Sequence, residues 1–161
     1  NKTDPTSAEI SFDIDGLKNT KGFFKDFDIT FKVSENDPQK AKLKVSIHIN
    51  SINTDNDIRD KELMGIDFFN TKKYPTIDFY SKEIINMDTS FTTNGTLQMM
   101  GEIQPLSFIF KYSGIADNKM GTKVAIFEGN LIIDRTKFGM KPVTSVGNEV
   151  QIKFYCELIK N

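Results

Sequence analysis

Apolar and polar residues alternate along most of this chain with a period of two. Residues such as Lys44, Lys153 and Glu157 stand between the apolar positions of the five clearest runs. Because successive side chains of a strand point to opposite faces, this pattern predicts half-buried antiparallel strands. The apolar positions of the five runs are Ile10, Phe12 and Ile14; Phe27, Ile29, Phe31 and Val33; Leu43, Val45, Ile47 and Ile49; Leu106, Phe108, Phe110 and Tyr112; and Val150, Ile152, Phe154, Cys156 and Leu158.

Three weaker runs raise the predicted number of strands to about eight. They extend from Thr76 to Ile85, from Ser90 to Met100 and from Lys123 to Asp134. Eight strands with little helix fit either a β-sandwich or an up-and-down β-barrel, and the alternation alone leaves both open. The residues that predict turns or bulges are Asn94-Gly95, Gly101, Gly114 and Gly121.

One short helix is predicted at about residues 55–64. Thr54 or Asp55 is a suitable N-cap, and Gly65 is suited to ending the helix. Asp57 would complement the positive end of the helix dipole. The helix therefore interrupts an otherwise all-β chain.

The composition indicates one domain over residues 1–161, with a mobile first stretch at 1–7. The chain is 38% hydrophobic with 14 Phe and no Trp, so Phe rings and β-branched residues supply most of the interior. The net charge is -1 and its 21 basic and 22 acidic residues are spread along the chain, which argues against a nucleic-acid partner. No run approaches the roughly 20 apolar residues of a transmembrane helix, so no such segment is expected.

The residue types needed for catalysis or metal binding are scarce. His48 is the only histidine and lies between Ile47 and Ile49 at a polar position, so its side chain should point outward. Cys156 is the only cysteine and lies on the dry face of its strand, which predicts a buried apolar filler. The carboxylates of residues 55–62 lack the spacing and glycine of a calcium loop. We therefore expect no catalytic residue, no metal and no cofactor.

Two arginines stand against nineteen lysines, and each adjoins an aspartate. Arg59 precedes Asp60 in the predicted helix, and Arg135 follows Asp134 at the end of a strand. A planar guanidinium can bind carboxylates or backbone carbonyls bidentately, which a lysine cannot. We expect these four residues to be structural, with partners elsewhere in the chain, rather than ligand contacts.

Four short motifs follow one another through residues 51–81. They are S-I-N-T at 51–54, R-D-x-x-L at 59–63, D-F-F-N at 67–70 and K-Y-P-T-I-x-F at 73–79. Weaker motifs follow: N-G-T-L at 94–97, F-E-G at 127–129, Arg135 with Phe138-Gly139, and G-N-E-V at 147–150. In this order the motifs closely resemble the signature of the YceI-like family of bacterial proteins, and the match covers nearly the whole chain.

The resemblance implies an eight-stranded antiparallel lipocalin-like barrel, closed by the helix, around a long-chain amphiphilic lipid. The implied ligand is an isoprenoid, an isoprenoid quinone or a fatty amide or acid, which the protein would carry or sequester without any reaction. The resemblance further implies a periplasmic or secreted protein, consistent with a chain that begins at Asn1, and a homodimer. The residues alone leave open a barrel filled by side chains, which would act through its outer surface as a stress-related interaction module.

If the barrel is hollow, the alternation and the resemblance together predict which residues face the ligand. Four of them, including Ile58 and Leu63 of the helix, would close one end. The predicted ligand-binding residues are Ile14, Phe31, Ile47, Ile49, Phe79, Leu97, Met99, Phe108, Phe110, Phe127, Leu131 and Phe154 along the tunnel, with Ile58, Leu63, Phe68 and Phe69 at its end.

Four positions depart from the family pattern: Glu62, Met100, Met120 and Val124. The family usually has a histidine, a histidine or asparagine, a tryptophan and often an arginine there. If Met100 and Val124 touched the ligand head, they could neither donate to an anion nor neutralise it. On that assumption we expect a preference for a neutral head group.

Overall fold

The computed structural model describes residues 2–3, 8–16, 20–34 and 37–159, which form eleven strands, one α-helix and two short 3-10 helices. The helix is α1 (Asp57–Leu63), and the 3-10 helices are η1 (Ile49–Ser51) and η2 (Arg135–Phe138). The strands are β1 (Lys2–Thr3), β2 (Glu9–Gly16), β3 (Thr20–Phe24), β4 (Phe27–Ser34), β5 (Asp37–His48), β6 (Ile52–Asn53), β7 (Thr76–Met87), β8 (Ser90–Met99), β9 (Glu102–Asp117), β10 (Lys123–Asp134) and β11 (Val146–Ile159). Of the stretch predicted to be mobile, all but Lys2–Thr3 lies outside the described residues.

The eleven strands form eight paths around the sheet. β3 and β4 are separated only by Lys25 and Asp26, and β5 and β6 only by η1. Each of these two interruptions is a kink, and the two kinks lie side by side. Two backbone hydrogen bonds continue the pairing across them, from Lys25 N to Ser51 O at 3.2 Å and from His48 N to Asp26 O at 3.0 Å. β1 and β2 likewise pair with successive parts of β11. The predicted number of strands is therefore correct once the kinks are joined.

The sheet closes on itself. All strand pairings among the described residues are antiparallel, and paths that follow one another along the chain are neighbours in the sheet. Lys2 of β1 pairs with Ile159 of β11 on one side and with Thr30 of β4 on the other. Closure leaves the long strands without a free edge, which is how up-and-down barrels avoid edge-to-edge association. The all-β antiparallel barrel predicted from the sequence is confirmed.

The two ends of the barrel differ. Helix α1 precedes β7 and η2 follows β10, and β7 begins at the same end of the barrel at which β10 ends. We call this end, which carries both α1 and η2, the helix end. The opposite, far end is packed with aromatic rings: Phe31 lies 5.3 Å from Phe127 and 6.2 Å from Phe110, and Phe110 stacks on Phe91 at 5.2 Å. Such ring pairs add stability beyond the area they bury. Aromatic side chains therefore fill the far end.

The predicted turn residues behave in two ways. Gly101, with φ +83°, lies in the turn between β8 and β9, as expected. Asn94-Gly95, predicted to be a turn or a bulge, does not form a turn: Gly95 lies inside β8, opposite a register shift in β7. A Cβ at Gly95 would lie 2.6 Å from the ring of Phe79. The glycine therefore gives an inward-facing ring room to lie against the strand.

Helix α1 begins one or two residues later than predicted. Its cap is Asn56, whose Oδ1 accepts from Ile58 N at 3.1 Å and Arg59 N at 3.0 Å. The predicted caps are wrong for specific reasons. The hydroxyl of Thr54 is bound to Asp60 and Arg59, and Asp55 has a left-handed φ of 57°.

Candidate functional site

The barrel encloses a cavity of about 380 Å³. Its volume is within the range of roughly 300–1,000 Å³ that is usual for ligand pockets. Its wall is almost wholly aliphatic and aromatic. The sequence left open whether the barrel is filled or hollow. The structure shows a hollow barrel.

Most of the predicted ligand-facing residues lie on the cavity wall, with two exceptions described below. Alternation therefore assigned the inner face of each long strand correctly, although ligand contact itself stays a prediction. The predicted residues on the wall are Ile14, Phe31, Ile47, Leu63, Phe68, Phe69, Phe79, Leu97, Met99, Phe108, Phe110, Phe127, Leu131 and Phe154.

Ile58 is the first exception, with 81% of its surface exposed. In an α-helix, residues five apart are separated by about 140° around the axis, so Ile58 and Leu63 cannot share a face. Since Leu63 faces the cavity, Ile58 faces solvent. The prediction that both close the barrel is wrong for Ile58.

Ile49 is the second exception. Its side chain is fully buried in the hydrophobic core but does not line the cavity. β5 ends at His48 and the chain turns into η1 at Ile49, so the alternation of the strand no longer sets the direction of this side chain. Ile49 is a core residue rather than a tunnel residue.

The cavity wall also includes residues that the sequence reasoning left out of the predicted site. Several of them are apolar positions of the alternating runs and point to the same face of their strand as the predicted residues. Assigning every apolar position on that face to the cavity would therefore have predicted them. The additional apolar residues on the wall include Ile10, Phe12, Phe24, Ile29, Leu43, Val45, Ile52, Ile77, Leu106, Ile133, Met140, Val150, Ile152, Cys156 and Leu158.

One face of α1 supplies two of the four described polar residues on the wall. Arg59, Glu62 and Leu63 all line the cavity and stand at positions i, i+3 and i+4, which share one helix face. Glu62 is exposed while it lines the cavity, so the cavity reaches solvent beside it. The opening therefore lies at the helix end.

Thr54 holds Arg59 and Asp60 in place. Arg59 donates from Nε to Thr54 Oγ1 at 2.8 Å and from Nη2 to Thr54 O at 2.6 Å. Asp60 accepts from the backbone N–H and the hydroxyl of Thr54 at 2.9 and 2.5 Å. The two neighbours thus find their partner outside the pair, as predicted, and Arg59 is both a structural residue and part of the cavity wall.

Arg135 ties η2 to the start of β11. It donates from Nε to Gly147 O at 2.9 Å, from Nη1 to Lys141 O at 2.9 Å and from Nη2 to Val146 O at 3.4 Å. Only 3% of its surface is exposed, and this burial lowers the pKa of its guanidinium. Arg135 also lines the cavity, so it too combines a structural position with a place on the wall.

Asp134 supports the same turn from its other side. Its Oδ1 accepts from the hydroxyl of Thr136 at 2.5 Å and from Thr136 N at 2.9 Å, which caps η2. These bonds to the charged form lower the pKa of Asp134. Asp134 is therefore a structural residue, as predicted.

The residues that could carry covalent chemistry lie in unsuitable surroundings. Burial raises the pKa of Cys156 to about 12, which leaves its thiol protonated and unreactive at neutral pH. His48 lies at the surface, with Nε2 3.9 Å from Asp28 Oδ2. Within the described parts of the chain, no three His, Cys, Asp or Glu side chains come together as metal ligands would.

The two positions on which the neutral-head expectation depended do not touch the cavity. Val124 is buried, Met100 packs against the core, and neither lies on the wall. Their side chains therefore cannot set the preference for a head group, and the assumption behind that expectation is wrong. The polar residues that do line the cavity are Thr20, Arg59, Glu62 and Arg135.

Among the described residues, no helix has the length and apolar character needed to cross a membrane.

Comparison with known proteins gives one family and one fold. A family model described as a YceI-like domain matches residues 2–158. A UPF0312 protein from Pseudomonas aeruginosa (strain LESB58) is 37% identical over 120 residues, which make up 74% of this chain and 63% of that protein. This chain thus matches less than two thirds of the length of that relative.

Two solved structures share the whole architecture. BcnA from Burkholderia cenocepacia has a TM-score of 0.83 at 23% identity, covering 97% of this chain and 99% of BcnA. A polyisoprenoid binding domain from Saccharophagus degradans, implicated in plant cell wall breakdown, has a TM-score of 0.74 at 13% identity, covering 97% of this chain and 95% of that domain. At these identities, the two likenesses are evidence of a common fold.

Proposed function

The chain belongs to the YceI-like family, and from that premise we propose that it binds a long-chain amphiphilic lipid inside its barrel and so carries or sequesters it. The observation that carries the proposal is a cavity of about 380 Å³ with an apolar wall and its polar residues at one end. The structural likeness to a polyisoprenoid binding domain supports the same class of ligand. Isoprenoids, isoprenoid quinones and fatty acids or amides all have the required form.

Apolar area is sufficient to hold such a ligand. Each buried CH₂ contributes roughly 0.8 kcal/mol, so a twelve-carbon tail contributes about 10 kcal/mol before the costs of association. A preformed cavity keeps those costs low, because little of the wall has to be ordered on binding. Binding and release then constitute the whole activity, with no bond made or broken.

Two further parts of the proposal follow from the family resemblance. We place the protein in the periplasm or outside the cell, where it would move or store a lipid, and we expect a homodimer. The alternative of an interaction module with a filled barrel loses its premise, because the barrel contains a cavity.

Native mass spectrometry of gently purified protein tests the proposal, with organic extraction of the same sample. We expect an adduct of several hundred daltons that matches a long-chain lipid. A mass that stays bare, even after incubation with isoprenoid alcohols and fatty acids, would contradict the proposal. The oligomeric state is read from the same spectrum.

A further inference from the structure

Among the residues that the structure describes, the polar ones on the cavity wall all lie at the helix end. Arg59 and Glu62 come from α1, Arg135 begins η2, and Thr20 begins β3 at the same end of the barrel. The other described residues of the wall are apolar, and aromatic rings pack the far end. A bound amphiphile would therefore lie with its head at the helix end and its tail toward the Phe rings.

Among the described residues that line the cavity at that end, positive charge exceeds negative charge. Within the described residues, no carboxylate lies within 4.0 Å of a guanidinium nitrogen of Arg59 or Arg135, and the recorded ion pairs all involve lysines or His48. Asp60 shares the Thr54 hydroxyl with Arg59, and the charge of Asp134 acts on Arg135, but neither carboxylate lines the cavity. On the wall itself, Glu62 contributes one negative charge against two positive ones. Arg135 is almost fully buried, and an anion in the cavity would give it the direct ion pair that the described carboxylates do not form.

Both arginines retain donors beyond their structural bonds. A guanidinium has five N–H donors. Arg59 uses Nε and Nη2, and its Nη1 has no hydrogen-bond partner among the described residues. Arg135 makes three hydrogen bonds, all to backbone carbonyls. Thr54 thus holds Arg59 in a fixed orientation and backbone carbonyls hold Arg135, while N–H groups of both remain for a ligand.

We propose that Arg59 and Arg135 form a head-group site that selects single-chain amphiphiles with an anionic oxygen head, such as a carboxylate or a phosphate ester. The inference depends on the proposed lipid-binding function and narrows its ligand class. It reverses the neutral preference expected from the sequence. An anionic head would accept charge-assisted hydrogen bonds and would neutralise the buried guanidinium.

The test compares two ligands that differ only in their heads, hexadecanoic acid and hexadecan-1-ol, in displacement of the neutral probe Nile red at pH 7.5. The protein is first freed of lipid. We expect the acid to bind about tenfold more tightly than the alcohol, the increment of one charge-assisted hydrogen bond. Equal affinities would overturn this inference and leave lipid binding intact. If neither compound displaced the probe, both proposals would fall.

Two variants of helix α1 test whether Arg59 causes the preference for the acid over the alcohol. Arg59→Gln should lose about tenfold in affinity for the acid and less than threefold for the alcohol. Lys61→Gln removes the same charge from an exposed position of α1 that does not line the cavity, and should change neither. Equal effects of the two substitutions would overturn the assignment.

A third variant covers the case in which Arg59→Gln does not fold. Glu62 is exposed and its side chain makes no hydrogen bond to the described residues, so Glu62→Gln should leave the fold intact. By removing the negative charge from the opening, this substitution should raise affinity for the acid about threefold without changing that for the alcohol. No change, or weaker binding of the acid, would count against the anionic site.

Discussion

Thr54 donates both its backbone N–H and its hydroxyl to one carboxylate oxygen of Asp60, at 2.9 and 2.5 Å. Both residues are buried. The same Thr54 hydroxyl accepts from Arg59 Nε at 2.8 Å. One small residue next to β6 therefore fixes the helix that contributes Arg59 and Glu62 to the cavity wall.

Thr54→Val should destabilise the protein by about 2 kcal/mol, because it removes the donor to Asp60 and the acceptor for Arg59. Thr54→Ser keeps the hydroxyl and should cost less than about 1 kcal/mol. Urea denaturation followed by circular dichroism measures both. Equal losses for the two variants would show that the hydroxyl network contributes little.

Leu131→Trp should weaken lipid binding about tenfold or more, because the indole would occupy space that the tail needs. Leu131 lines the cavity, whereas its neighbour Ile132 is 56% exposed on the outer face of β10. Ile132→Trp is therefore the matched control and should bind as the wild type does. Displacement of Nile red reads out both, and similar behaviour of the two variants would contradict the assignment of faces.

Cys156 should react with iodoacetamide very slowly in the folded protein. Burial raises the pKa of its thiol to about 12, so only about one molecule in 10⁴ carries a thiolate at pH 8. We expect a rate at least about 100-fold below that of the same chain in concentrated urea. Alkylation is followed by mass spectrometry, and comparable rates in both conditions would show that the thiol is accessible.

The contribution of Asp134 to stability should disappear in acid. The hydroxyl and then the backbone N–H of Thr136 lower the pKa of the folded-state carboxyl, so its ionised form stabilises the fold above the ordinary aspartate pKa. That stabilisation is lost as the pH falls through the lowered pKa. The Asp134→Asn variant should therefore have a lower melting temperature than the wild type at pH 7. The difference in melting temperature should disappear on acidification.

Thermal melts across this range measure the effect of Asp134. When Thr136 is replaced by Val, Asp134→Asn should lower the melting temperature by less at neutral pH than it does in the wild type. The reason is that the hydrogen bond from the Thr136 hydroxyl to Asp134 is then absent. A gap that stays constant between neutral and acid pH would mean that the charge of Asp134 does not contribute.

Alternation and motifs were sufficient to predict the eight longer strand segments, the inner faces of those strands and the family, but not the short strands β1, β3 and β6. Phe108, Phe110 and Phe154 could be placed on the interior from alternation alone, because a strand fixes the direction of each side chain locally. The single helix was predicted within two residues at each end. Its inward face was only half right: Leu63 faces the cavity, but Ile58 does not.

Whether the barrel is hollow, and at which end its polar residues lie, could be seen only in the folded protein. Cavity volume depends on the circumference of the closed sheet and on how side chains from all its strands share the interior, which no local pattern encodes. Arg59 and Arg135 are far apart in the chain, and the sequence predicted only structural roles for them. They reach the same end of one cavity because antiparallel closure brings the beginning of β7 and the end of β10 together.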